Sequence, residues 1–317
     1  MSYWITDYIT KPSVEEKILG KALSKEKSTE AKVLLVWHQK VNEEYLDQFP
    51  KLIGIVRYGV GYDNIDLKAI KKRNLFFCNN PDYGVDEVSD TTVAMVMNLV
   101  RGIHSYNSIA KGLKEEWQQQ TLKTIKRTSN YSVGVIGSGR IGSSVLLKLN
   151  SLKFKTGFYD PYVYSGYEKI LNAKRFSNLN TLLKNSDIVS LHCPLDSKTV
   201  SMVDDKFIKN MKQGAFLVNT ARGELVKNNK ILAKAILENK LGGLALDTLK
   251  KEPPEKGDPL IDLWLSDSRI AKRIIINPHT AYYSKHSFSE MRKSAAKKVR
   301  DILEGKHPSD AIIKPHH

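Results

Sequence analysis

The segment Tyr131 to Gly142, YSVGVIGSGRIG, constrains the fold of this chain more than any other. A short apolar run enters Gly137-x-Gly139-x-x-Gly142, and an apolar helical pattern begins near Arg140. Strand, glycine turn and helix in that order suit a phosphate. The first glycine permits a tight turn, the second lets the backbone approach a pyrophosphate, and the third lets helix pack close to strand. Backbone N–H groups at the helix start, including those of Arg140 and Ile141, then face the anion. Eighteen residues past Gly142, Asp160 ends the next apolar run. An acid there accepts hydrogen bonds from a ribose hydroxyl and repels a 2′-phosphate, which favours NAD (NADH) and makes NADP the poorer coenzyme. Glycine clusters mark many ordinary turns; the ordered set of strand, glycines, helix and acid is what points to a dinucleotide.

The same alternation runs along most of the chain. Apolar runs occur at 33–37, 52–58, 75–79, 133–137, 156–160, 188–193, 215–220, 244–248 and 274–277, separated by polar residues at helical spacing. Near-continuous apolar runs of this length read as strands of a parallel sheet buried on both faces, so the fold class is α/β and doubly wound. At 317 residues the chain is long enough for about two domains. A helix from Ser89 to about Ile103 is apolar on nearly every side, which predicts burial and a domain boundary just beyond it. A second helix is expected to open on a capping box of Ser287 with Glu290 and to end at Gly305.

A net charge of +16 invites a nucleic-acid reading. Its distribution argues otherwise. Residues 1–100 carry 13 Lys/Arg against 14 Asp/Glu, and the excess begins only beyond them. Stretches such as Lys123 to Arg127 and Lys297 to Arg300 read as solvated faces, and no nucleic-acid-binding motif is present, so no specific nucleic-acid partner is expected. The apolar runs are too short to span a bilayer, which excludes a membrane segment. The N-terminal MSYWITDYIT interrupts any secretory pattern, and two cysteines make no disulfide framework. The expected compartment is the cytoplasm.

Three predicted strands end in reactive tails: Asn219-Thr220-Ala221-Arg222-Gly223, then Asp247-Thr248 with Glu252-Pro253, then Asn277-Pro278-His279-Thr280. Singly, each reads as a turn or a solvated loop. Jointly they supply an anion clamp, a proton carrier and a carboxylate to orient it, at the sheet edge where α/β proteins bind ligands.

With these tails the chain resembles the D-isomer-specific 2-hydroxyacid dehydrogenases over nearly its whole length. The resemblance rests on Gly59 to Asp66, the glycine turn with Asp160, His192-Cys193-Pro194-Leu195, Asn219 to Gly223, Asp247 to Pro253, and Pro278-His279. Val56-Arg57, Asp90-Thr91-Thr92 and His279 to Ser284 make it most similar to the branch that holds the C-terminal binding proteins. The resemblance implies Arg222 as substrate clamp, Glu252 as orienting carboxylate and His279 as acid/base. It implies coenzyme contacts at Thr92 (phosphate), Cys193, Pro194 and Thr199 (adenosine side), and Asp247 (carboxamide), with Thr220, Ala221 and His279 alongside. It also implies that Gly59, Val60 and Gly61 hold the substrate carboxylate through their N–H groups, with Arg57, His38 and Tyr282 facing the substrate. Tyr282 stands where that branch often has tryptophan.

The expectation is therefore an NAD-dependent enzyme interconverting a 2-keto acid and a D-2-hydroxy acid, with no metal implied. A Rossmann-type coenzyme domain is expected over 100–280. A flavodoxin-like, discontinuous substrate domain is expected over 1–99 and 281–317, with a cleft between the two. A homodimer is the family trait. The alternative is an NAD(H)-sensing, corepressor-like interaction protein with little turnover.

Overall fold

The computed structural model describes residues 1–266 and 270–315. The backbone forms two compact units, Met1–Gly84 with the chain from Tyr283 onward, and Val85–Tyr282. Both are built on parallel sheets flanked by helices.

In the first unit, β1 (Tyr3–Ile5), β2 (Val33–Val36), β3 (Gly54–Arg57) and β4 (Phe76–Cys78) lie side by side in chain order. Ile5 pairs with Leu35, and Val36 with Arg57, so the carboxyl ends of β1, β2 and β3 are neighbours along one edge. Alternate residues serve opposite faces, as the pleat requires. Leu34, Val36, Ile55 and Phe77 pack with Leu46 and Ile70 on one face. On the other lies the helix Lys285–Leu303, whose Ile302 sits 3.1 Å from where a Cβ on Gly54 would stand.

That helix starts earlier than its sequence suggests. Its N-cap is Ser284 and its capping box pairs Ser284 with Ser287, in place of the expected Ser287 with Glu290. Both spacings satisfy the motif, but Ser287 is buried, and its hydroxyl takes the N-cap N–H of Ser284 at 2.8 Å. Gly305, at φ 73°, follows the C-cap as expected.

In the second unit, β5 (Ser132–Ile136), β6 (Lys155–Tyr159), β7 (Lys174–Arg175), β8 (Ile188–Leu191), β9 (Ala215–Asn219), β10 (Leu241–Leu246) and β11 (Ile274–Ile276) form one parallel sheet. Their order is β11-β10-β9-β8-β5-β6-β7, reversing between β5 and β8. Such a reversal opens a crevice at the carboxyl ends of the strands, the usual ligand position in doubly wound sheets. Val133, Val135, Phe158, Ile188 and Val218 form one core with Met95, Val96, Leu146 and Leu149. Val189, Leu191, Leu217 and Leu244 form the other with Leu182, Phe207, Ile231 and Ile236.

The helix Val85–Arg101 packs on Arg140–Ser151 within this second unit. The division of the backbone thus precedes this helix, at Gly84, where the sequence had suggested 99. Among the described residues, no helix is long and apolar enough to cross a membrane.

Candidate active site

The glycine turn lies at the strand reversal. Gly137 adopts φ 88°, and a Cβ there would stand 2.7 Å from the backbone nitrogen of Cys193 in the tail of β8. A Cβ on Gly142 would collide with the carbonyl oxygen of Gly137, so only glycine lets the helix approach the turn this closely. Around Gly139, by contrast, no heavy atom lies within 4 Å of a Cβ position, leaving the approach to the backbone clear. Gly139 is the N-cap of the helix Arg140–Ser151, and no side chain caps it. The first N–H groups of that helix, at Arg140 and Ile141, are therefore open to an anion.

Asp160 braces the same turn. One carboxylate oxygen accepts from the Ser138 N–H at 2.8 Å and from its hydroxyl at 3.2 Å, and the other accepts from the Tyr162 N–H at 3.0 Å. A carboxylate has about four lone-pair positions, which leaves capacity for a ribose hydroxyl. After β8, Thr199 closes the loop that begins at Cys193, its hydroxyl donating to the Pro194 carbonyl at 2.6 Å and accepting from the Asp196 N–H at 2.8 Å. Burial pushes the Cys193 thiol up to about 12, so it stays protonated and lines the loop without reacting.

This open turn, bare helix start and acid fit NAD(H). Asp160→Ser is expected to narrow the preference for NADH over NADPH by about tenfold. Fluorescence titration with each coenzyme reads that ratio, and an unchanged ratio would remove Asp160 from coenzyme choice.

Thr92 lies fully buried on the helix Val85–Arg101. Its hydroxyl bonds to the Val88 carbonyl at 2.7 Å and to the Thr220 hydroxyl at 2.8 Å, which ties this helix to the tail of β9. In that tail, buried Asn219 donates to the Arg222 carbonyl at 2.8 Å and accepts from the Ala221 N–H at 3.0 Å, folding the chain sharply. Arg222 donates from Nη1 to the Ala221 carbonyl at 2.9 Å. A Cβ on Gly223 would collide with the Leu249 backbone. The arginine is thereby pressed against the loop that carries Glu252.

Asp247, 2% exposed at the end of β10, organises His279. Its carbonyl accepts the His279 N–H at 2.9 Å, and its carboxylate accepts the N–H groups of Thr280 at 3.0 Å and Ala281 at 3.1 Å. Desolvation raises the Asp247 carboxyl and outweighs these bonds. They hold His279 at φ 54°, a left-handed conformation in which non-glycine residues are uncommon.

The His279 ring meets Glu252, with Nδ1 2.7 Å from Oε2, while Oε1 accepts the Leu249 N–H at 2.8 Å. Burial works to raise the Glu252 carboxyl. The His279 hydrogen bond and charge, the Leu249 N–H and the Arg222 charge prevail, and hold it below the ordinary glutamate range. With its folded value depressed, its stabilising contribution is present above the ordinary value and is lost as pH falls through the lower one. An ionised carboxylate can only accept, so Nδ1 carries the proton and Nε2 is left to exchange one with a substrate.

The first unit carries an anion-attracting turn of its own. A Cβ on Gly59 would collide with the Arg57 guanidinium, so this glycine lets Arg57 lie across the turn. The Val60 carbonyl accepts from Asn79 Nδ2 at 2.6 Å and the Gly59 carbonyl from the Asn80 N–H at 3.3 Å. The N–H groups of Gly59, Val60 and Gly61 have no partner among the described residues, and successive free N–H groups of this kind attract anions. His38 is exposed at the end of β2, its Nδ1 3.5 Å from Asp7. Tyr282 ends the second unit, half-buried beside Ala281.

Thr220, Ala221, Arg222, Asp247, Glu252 and His279 are thus joined within one unit, while His38, Arg57 and Gly59 to Gly61 lie in the other. Sequence reasoning missed Asp7, Ser138 and the role of Asn219. Asn219 sat in plain view in its motif; Asp7 follows a strand of three residues that left no periodic signal.

Residues 93–281 match the D-isomer specific 2-hydroxyacid dehydrogenase, NAD binding domain, and the chain belongs to that family. It is 30% identical over 284 residues to a glyoxylate reductase of Thermofilum pendens, covering 89% of this chain and 81% of the relative. It is 29% identical over 304 residues to C-terminal-binding protein 1 of Caenorhabditis elegans, covering 94% of this chain and spanning 39% of that protein's length. A D-lactate dehydrogenase from Aquifex aeolicus, complexed with NAD and lactic acid, matches with a TM-score of 0.88 and 27% identity over 100% of both chains.

Proposed function

We propose that this protein is an NAD-dependent D-2-hydroxyacid dehydrogenase with His279 as its acid/base. The carrying observation is the Glu252–His279 pair, with the loop of Arg222 packed against it. NADH, when bound, supplies the hydride that adds to C2 of a 2-keto acid. Arg222 forks onto the substrate carboxylate and draws electron density from the adjacent carbonyl. Within the first unit, the N–H groups of Gly59, Val60 and Gly61, unpartnered among the described residues, are of a kind that suits a carboxylate. As C2 is reduced, Nε2 of His279 gives its proton to the former keto oxygen, and Glu252 balances the cationic ring; in oxidation neutral Nε2 takes the hydroxyl proton back.

The relatives named as a glyoxylate reductase and a D-lactate dehydrogenase support this reading. NADH consumption with glyoxylate, pyruvate and phenylpyruvate tests it. Turnover of at least one is expected. Failure of all three, with an NADH-dependent protein partner captured instead, would replace it with the interaction role suggested by the worm relative.

A further inference from the structure

Four successive carbonyls of the first unit, those of Arg57, Tyr58, Gly59 and Val60, turn toward the tail of β4. Asn80 Nδ2 donates to the Tyr58 carbonyl at 2.9 Å and to that of Arg57 at 3.4 Å. The Asn80 N–H donates to the Gly59 carbonyl at 3.3 Å, and Asn79 Nδ2 to that of Val60 at 2.6 Å. A trans peptide points its C=O and its N–H in opposite directions. Holding the carbonyls of Tyr58, Gly59 and Val60 against residues 79 and 80 therefore turns the N–H groups of Gly59, Val60 and Gly61 away from them. Two asparagines thus set the direction of three donors.

Asn80 is fully buried, and its far side is anchored in the helix Lys285–Leu303. Its Nδ2 also donates to the Met291 carbonyl at 3.3 Å, and its Oδ1 accepts the Ser294 hydroxyl at 2.9 Å. Carbonyls only accept, so the amide must present Nδ2 to all three of them, which leaves Oδ1 for Ser294. Four residues on, along the same face of the helix, Lys298 donates to the Asn79 carbonyl at 2.5 Å and pairs with Asp310 at 2.6 Å. A lysine only 8% exposed is costly to bury without such partners. One helix face therefore grips both asparagines.

We propose that Asn80, braced by Ser294, positions the Gly59–Gly61 turn and sets its affinity for a small carboxylate, resting on the dehydrogenase reading only for the kind of anion. Every group involved belongs to the first unit. Donors already aligned on one side lose little freedom when an anion arrives, whereas peptides free to rotate must first be ordered. Without the Ser294 hydroxyl, the buried Oδ1 of Asn80 loses its partner and the amide loses its brace.

Titration of the isotope-labelled full chain with oxalate, followed by NMR at the backbone amides of Gly59, Val60 and Gly61, reads this affinity. Saturable shifts are expected at these amides in the unsubstituted protein. Ser294→Ala is expected to raise the dissociation constant about fivefold, the scale of one hydrogen bond, and Ser294→Thr, which keeps the hydroxyl, to leave it within about twofold. Asn80→Ala, which also releases the Tyr58 carbonyl, is expected to raise it at least about tenfold. Ser294 is half-buried on a helix and alanine suits a helix, so Ser294→Ala is expected to fold with little change in Tm. Weaker oxalate binding at constant Tm then separates positioning from general destabilisation. Equal affinity in the unsubstituted, Ser294→Ala and Asn80→Ala proteins overturns the positioning role, and so does equal weakening by Ser294→Ala and Ser294→Thr. A lack of shifts at residues 59–61 in the unsubstituted protein overturns it as well, while NADH-dependent turnover of a 2-keto acid would still uphold the dehydrogenase reading. The expected order of affinities without turnover leaves the positioning role standing and the dehydrogenase reading overturned.

Discussion

His279→Ala is expected to lower kcat/KM for 2-keto acid reduction by about 10²–10⁴-fold while NADH still binds, since positioned acid/base groups contribute on this scale. Glu252 meets the imidazole at Nδ1, away from Nε2, and is tied to the Leu249 N–H, so it is out of place to substitute as the acid. Asp247 is spent on the backbone of Thr280 and Ala281. Steady-state kinetics beside a coenzyme titration separate the two effects. Turnover close to that of the unsubstituted protein would sink the mechanism.

Gly223→Ala is expected to damage both stability and activity, although it adds only a methyl group at a position with no chemistry of its own. The new Cβ would meet the backbone of Leu249 and Lys250, and backbone cannot rotate away as a side chain can. Overpacking of this kind costs about 1–3 kcal/mol. For a unit of this size each kcal/mol corresponds to roughly 2–4 °C in Tm. Because the displaced loops carry Arg222 and Glu252, kcat/KM is expected to fall at least about 100-fold, as misplacement by an ångström can do. Calorimetric Tm and steady-state kinetics check both parts. A variant with unchanged Tm and turnover would show that the two loops are not coupled here.

Much of this was legible in the sequence, for identifiable reasons. Strands buried on both faces must be apolar throughout, so the apolar run at 188–193 announced β8, and the run at 215–220 announced β9. Gly137 and Gly142 were readable because each answers a steric demand that no other residue meets, and Gly139 because it leaves the approach to the backbone clear. Two of the edge strands were harder. In β7, Lys174 and Arg175 carry no apolar signal, and β1 has three residues. The helix start at Ser284 was ambiguous because two capping spacings overlap, and only burial of Ser287 decides between them. Thr92 shows a different limit. Its position on a helix was readable, but its hydroxyl partner Thr220 lies 128 residues away in the chain.

The bonds from Asp247 to residues 279–281 join the tails of β10 and β11, and among the described residues β11 lies at the sheet edge with β10 beside it. Sheet margins open more readily than sheet centres, and three-residue margins most readily of all. Placing His279 on such a margin would leave it adrift if Asp247 did not moor it to the neighbouring strand. The His279 ring can therefore sit at the rim of its sheet while inheriting the rigidity of the strands beside it.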